Sequence, residues 1–313
     1  MKFHYLCDMK ANEVIKRIKP WMLPIAMLGG LLFHEFIDKI AFVAPYLLFV
    51  MLLVTFCKVR ISEFRITSLS WSLLAIQIIG AILIFILLSP IDAIIAQAIF
   101  MCVFCPTATA APVVTGMLGG SVSRVATFSI VSNVSVAISA PFLFSIINES
   151  DVNFISSVLA ICVKVVPLLI VPLIIALLLR AFTPRLHENI AKHQSLSFYL
   201  WAVTLFIVVG KSISFVLHSP SDKISTMIVI AICAGVVCGA QFYIGRIIGR
   251  KCGDRVAGAQ GLGQKNTVLA IWMALTYLNP VASIGPAAYI AWQNIINSMQ
   301  LYYKVKNEKI KTI

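Results

Sequence analysis

The sequence is poor in charge, and the places where charge is missing narrow what the protein can be. Only 12% of its 313 residues are Asp, Glu, Lys or Arg, while 60% are hydrophobic, and mean hydropathy is +0.97. A soluble domain of this length could not bury so much apolar surface, so the composition is that of a chain embedded mostly in lipid. Acids are the scarcer sign, with 12 Asp and Glu against 25 Lys and Arg. All of them fall outside the apolar runs or at their edges, Asp92 and Asp254 coming nearest. That excludes ion coupling through a carboxylate at mid-membrane. The 5 histidines (His4, His34, His187, His193 and His218) stand in loops or near segment ends. An intramembrane hydrolase or acyltransferase needs such a base, or an acid pair, at mid-depth, so the chain reads as no enzyme. The 8 cysteines (Cys7, Cys57, Cys102, Cys105, Cys162, Cys233, Cys238 and Cys252) avoid the outer loops, which excludes a disulfide framework. No connecting stretch is long enough for a soluble signalling domain, which argues against a receptor.

What is present is a series of apolar runs of about 20 residues, the length that spans a bilayer as a helix. Ten are expected, over residues 20–36, 40–58, 68–89, 91–118, 121–147, 153–180, 195–218, 223–249, 255–277 and 281–303. No small-residue cleavage pattern follows the first, which reads as a retained helix. With ten spans both termini lie on one side. Most basic residues share that side: Lys2, Lys10, Lys16, Arg17 and Lys19; Lys58, Arg60 and Arg65; Arg124; Arg180, Arg185 and Lys192; Arg246, Arg250, Lys251 and Arg255; and Lys304, Lys306, Lys309 and Lys311. Lys39, Lys211 and Lys223 fall on the other. The positive-inside rule makes the first side cytoplasmic, in the inner (plasma) membrane. This asymmetry accounts for the net charge of +13 without nucleic acid. Trp21, Trp71, Trp201 and Tyr302 lie near segment ends, as interfacial anchors do.

The chain also repeats itself. Residues 1–150 and 151–313 each hold five segments. Each half opens with a proline-bearing apolar run, "KPWMLPIAMLGGLLF" and "KVVPLLIVPLIIALLL". An odd number of segments per half forces opposite orientations in the membrane. The fourth segment, "MCVFCPTATAAPVVTGMLGG", and the ninth, "RVAGAQGLGQKNTVLAIWMAL", carry matching polar interruptions. Pro106 and Pro112 interrupt the first, Gly261 and Gly263 the second. Inverted repeats with paired broken helices are the sequence signature of a secondary transporter, with its binding site where the breaks cross. Two lysines fall inside spans, Lys164 and Lys265. Lys164 either snorkels to the interface or faces a cleft. Lys265 sits in the ninth-segment break, and a charge at that depth costs a few kcal/mol at least, which marks it as functional. Half-helix N-termini beside it would complete an anion site. Gln293, Asn294 and Asn297 in "YIAWQNIINSMQ" put polar groups on one face of the last segment.

"CPTATAAPVVTGMLGG" resembles the discontinuous fourth helix of the bile acid:sodium symporter family, and "GQKNTVLAIWMALTYLNPVASIGPAAYIAWQNIINS" resembles its ninth and tenth helices. The resemblance implies an all-α polytopic fold of ten transmembrane helices in two inverted five-helix repeats, with discontinuous helices 4 and 9 crossing. It implies a panel of helices 1, 2, 6 and 7 beside a core of helices 3–5 and 8–10, and transport of a bile-acid-like anion or a small carboxylate by alternating access. The departures are specific. A Ser–Asn pair that helps bind one sodium in the family falls on Ala111 and Pro112. The sodium-binding glutamate falls on Gly261, and the glutamine of the second sodium site on Lys265. Gln77 in "WSLLAIQIIG" matches a further second-site glutamine, while Thr107, Thr109, Ser129, Gln264, Asn266 and Asn294 keep polar groups for substrate or ion. Sodium therefore stays an option with a degraded site and no other cofactor is implied. Lys265 is expected to replace the bound cation, to hydrogen-bond to Gln77 and the carbonyls of the broken helices, and to pair with the substrate's charge. Whether it stays charged or exchanges a proton as coupling ion is open at this point. The alternative is an arsenite-type or other efflux permease of similar fold using Cys105 beside Pro106.

Overall fold

The computed structural model describes residues 25, 28–30, 32–57, 65–108, 110–147, 154–192, 194–217 and 224–311. Of the basic residues that set the orientation, those before residue 25 and Lys58, Arg60 and Lys223 lie outside this set, as do Trp21, Thr109, His193 and His218. The side chains of Lys164 and Trp201 lie outside it as well.

Among the described residues the regular structure is helical. In chain order come α1 (His34–Ile40), α2 (Ala44–Cys57), α3 (Ser68–Leu88), α4 (Ala93–Phe104), α5 (Ala111–Leu118), α6 (Val122–Ile147), α7 (Phe154–Phe182), α8 (Pro184–Lys192), α9 (Gln194–Leu217), α10 (Ile224–Lys251), α11 (Arg255–Gly263), α12 (Thr267–Tyr277) and α13 (Ile284–Lys311). Four stretches are long and apolar enough to cross a bilayer: α3, α6, Val158–Phe182 within α7, and α10. Shorter apolar helices accompany them, α4 and α12 among them. This is the make-up of a polytopic membrane protein. Its outward faces agree: Ile79, Leu83 and Ile86 of α3 are exposed, as Trp71 and Tyr302 are near helix ends.

The two acids nearest the apolar runs have a local explanation. Asp92 caps α4, its carboxylate accepting from the amides of Ile94 at 2.7 Å and Ile95 at 2.9 Å. Asp254 caps α11 through Ala257 N at 2.8 Å and also accepts from Ser121 N at 2.8 Å. Each thus opens the first half of a broken segment, where a negative group meets the positive end of the helix dipole.

The helices pack in two sets, which meet where α6 lies along α7 and α12 against α9. In one, α2 lies against α7 and α9, and α1 against α9. In the other, α3 lies against α4, α4 against α10 and α13, and α11 against α5, α6 and α10. α10 and α11 approach closely, because glycines face each other. A Cβ added at Gly258 would run into Gly245 O and the backbone of Gly249. Beside the broken segments, Phe100 stacks on Phe104 (centroids 5.0 Å apart) and Phe144 on Tyr277 (5.6 Å). This aromatic block packs one side of α4.

The helix α8 is a difference from the sequence reading, which left residues 184–192 in a connection between spans. Leu186 and Ile190 stand four residues apart, so one side of the helix is apolar while Arg185, Glu188 and Lys192 lie off it.

Candidate functional site

The two broken segments meet at their breaks. α4 ends at Phe104 and α5 starts at Ala111, while α11 ends at Gly263 and α12 starts at Thr267. Pro106 ends the first half-helix: it lacks an N–H, and it holds Cys105 in an extended conformation (φ −51°, ψ 141°). Backbone groups freed here have no water to turn to at membrane depth. They turn to each other. Ala108 N donates to Gln264 O at 2.9 Å and Asn266 N to Pro106 O at 2.8 Å, so Thr107 and Lys265 form an isolated antiparallel bridge.

The other expected breakers act differently. Pro112 lies in the first turn of α5, where a missing N–H forfeits no helical bond. Gly261 is helical and Gly263 is the last residue of α11, so the break begins one residue later, at Gln264. These glycines serve close packing. A Cβ on Gly263 would meet the Phe242 ring at 2.5 Å.

The C-terminal end of α4 decides what Lys265 does. Beyond Met101 O, which keeps its regular helical partner, its last three carbonyls have none further along the chain and sit in a buried place. Met101 O accepts from Cys105 N at 3.2 Å. Cys102 O accepts from Gln241 Nε2 at 3.1 Å, Val103 O from Lys265 Nζ at 2.8 Å, and Phe104 O from Gln77 Nε2 at 2.8 Å. Gln77 Nε2 also reaches Cys105 O at 3.2 Å, and its Oε1 accepts from Ser132 Oγ at 2.7 Å. Lys265, 1% exposed, thus places its ammonium at the negative end of the α4 dipole. The expected Lys265–Gln77 hydrogen bond is absent; the two side chains hold successive carbonyls instead.

The remaining candidates divide. Thr107 Oγ1 donates to Gly261 O at 2.7 Å and Ser129 Oγ to Thr107 O at 3.4 Å. Asn266 caps α12 by accepting from Leu269 N at 3.3 Å, and its own carbonyl accepts from Cys105 Sγ at 2.9 Å. Asn266 Nδ2, Gln264 Oε1 and Asn133 Oδ1 are buried without a partner. Thr109 lies outside the described residues. Asn294 is not brought to the crossing: its Nδ2 bonds its own helix at Ile290 O, 2.8 Å away. Its neighbour Gln293 is, accepting from Lys265 N at 3.0 Å. Asn297 accepts instead from Gln260 Nε2 at 3.1 Å.

Sequence reading missed three contributors. Gln241 holds Cys102 O and reaches Tyr289 OH at 3.0 Å, Tyr289 OH donates to Gly263 O at 2.8 Å, and Ser132 Oγ accepts from Thr107 N at 3.2 Å. Gln241 had a signal, being the one amide in the apolar run of α10.

A first-sodium site of the kind the resemblance implies does not fit these residues. A Cβ at Gly261 would lie 2.9 Å from Leu73 Cδ1 and 3.2 Å from Phe128 Cδ1, so a side chain there would enter apolar surroundings and displace Leu73. Ala111 is fully buried and Pro112 follows it, leaving no side-chain oxygen there. Among the described residues no group of three or more His, Cys, Asp or Glu could hold a metal ion.

A sequence model of the sodium bile acid symporter family matches residues 45–219, more than half of the 313-residue chain. The chain belongs to that family. It is therefore a membrane transport protein of the symporter type. No curated protein matches it. The matched stretch of this family member carries Gln77, the first break and α5, whereas Lys265 lies beyond it.

Proposed function

We propose that the protein moves an organic anion across the plasma membrane by alternating access, with Lys265 in place of a bound cation. The observation that carries the reading is the Lys265 Nζ to Val103 O bond at the C-terminal end of α4. Half-helix C-termini at a crossing are where transporters of this construction hold a coupling cation. A covalently attached ammonium supplies the same charge without sodium. The apolar filling beside Gly261 argues in the same direction, because it disfavours the carboxylate that sodium coupling would use.

On this reading ten spans form two inverted repeats, residues 1–150 and 151–313, with both termini cytoplasmic. The helix set of α1, α2, α7 and α9 is the panel, and the set built around α4, α5, α11 and α12 is the core that moves against it. The buried ammonium neutralises the α4 end, and the N-terminal ends of α5 and α12 are left to face the substrate anion. The arsenite-type alternative needs an available thiolate at Cys105. That residue is fully buried and donates its thiol proton to Asn266 O, which disfavours the alternative. Thiol blocking with loss of transport would revive it.

The test is thermal stability of the purified protein against a panel of organic anions, bile acids and small carboxylates included, in sodium and in choline at equal ionic strength. The expected result is that one anion class stabilises the protein equally in both salts. Stabilisation that appears only in sodium would overturn the reading.

A further inference from the structure

We propose that α8 is an in-plane anchor that binds acidic phospholipid headgroups. Thr183 separates α7 from α8: its amide and hydroxyl bond Leu179 O at 2.9 and 3.2 Å, and its carbonyl accepts from His187 N at 3.1 Å. The chain thus passes from a membrane-spanning helix into a nine-residue helix without a loop. α8 packs only lightly. It touches α7 and α2, Ile190 and Ala191 rest on the core, and no residue of it is buried. What it leaves open is two-faced. Leu186 is 49% exposed, and Phe182, the last residue of α7, is 79% exposed just before the turn. Arg185 and Lys192 are exposed beside it, with Arg180 half-buried one turn before and Glu188 as the single acid. Among the described residues no carboxylate forms an ion pair with these three bases.

An apolar stripe edged with Arg and Lys on a short helix at the end of a span is the construction of an interfacial helix. Phe182 and Leu186 would lie among the upper acyl chains, and Arg185 and Lys192 at headgroup phosphates. Net positive charge selects acidic over zwitterionic lipid. Water-soluble phosphate would satisfy the bases but leave the stripe exposed, so the occupant is lipid. Because α8 links α7 to α9, the lipid would hold this part of the molecule level in the membrane. The inference uses only the embedding in a membrane and no part of the transport reading.

Native mass spectrometry of the full-length protein tests it, with phosphatidylglycerol and phosphatidylcholine of identical chains as probes and glycerol 3-phosphate as the soluble control. Phosphatidylglycerol is expected to bind the more tightly. The double variant Arg185→Gln/Lys192→Gln is expected to lose about tenfold of that preference, and Phe182→Ser to weaken both lipids. All three substitutions lie on exposed positions, and a monodisperse elution profile checks folding. Equal binding of the two lipids, a preference that survives the double variant, or full competition by glycerol 3-phosphate would each overturn the proposal.

Discussion

The two broken segments end their first halves in the same place but by different chemistry. At the end of α4, three donors from three parts of the chain hold successive carbonyls, and one of them, Lys265, is an ionisable amine. At the end of α11 the donors are neutral hydroxyls, Thr107 on Gly261 O and Tyr289 on Gly263 O. Two negative dipole ends thus approach each other, and only one is met by a lysine amine. The asymmetry teaches that a single cation suffices when side-chain amides and hydroxyls take the remaining carbonyls.

Several substitutions probe that comparison, and the largest effect belongs to the contact that brings the α11 end into place. Gly258→Val would force α10 and α11 apart against the backbone of Gly245 and Gly249. A loss of about 3 kcal/mol or more is expected from such overpacking, seen as a large fall in the melting temperature in detergent. Lys265→Leu should come next. It leaves Val103 O buried without a donor at a cost of about 1–3 kcal/mol, and a melting curve matching wild type would mean that the ammonium is not what holds the α4 end. Gln77→Leu frees Phe104 O, Cys105 O and the Ser132 hydroxyl together, and about 1–3 kcal/mol is again expected. Because these groups adjoin Val103, the Lys265→Leu/Gln77→Leu pair should be non-additive; a double-mutant cycle that sums to zero coupling would separate the two donors. The smallest effect is expected at the neutral end. Tyr289→Phe takes the donor from Gly263 O and one of two acceptors from Gln241 Nε2, which keeps Cys102 O, and about 1 kcal/mol is expected. If it proved costlier than Lys265→Leu, the contrast between the ends would be reversed.

Much of this crossing could be read from residue types alone. Pro106 in an apolar run announces a break because it has no N–H, and Lys265 announces a special site because charge is expensive at that depth. Helical periodicity and apolar length located α3, α6, α7 and α10. Direction was harder. Nothing in the string of residues says that Lys265 reaches back to Val103 rather than across to Gln77, since the crossing angle of two helices sets which carbonyl lies within reach. Glycine was legible only in part: α11 does end at Gly263, but Gly261 lies within the helix, and the missing Cβ atoms of both are used by Leu73, Phe128 and Phe242 from other helices. Asn294 and Gln293 are adjacent in sequence, and a helical rotation of one residue decides that Gln293 meets the break. Tyr289 carried no signal, because an apolar ring with one hydroxyl fits a membrane helix with or without a partner.

The central claim is that Lys265 stands where a bound cation would otherwise be needed. The most direct measurement is the melting temperature of the purified protein and of Lys265→Gln across a sodium chloride series, with choline chloride holding ionic strength constant. The account predicts that wild type does not respond to sodium, and that Lys265→Gln melts lower and regains part of the loss in sodium but not in choline. Saturable stabilisation of the wild type by sodium, with no response from Lys265→Gln, would contradict it.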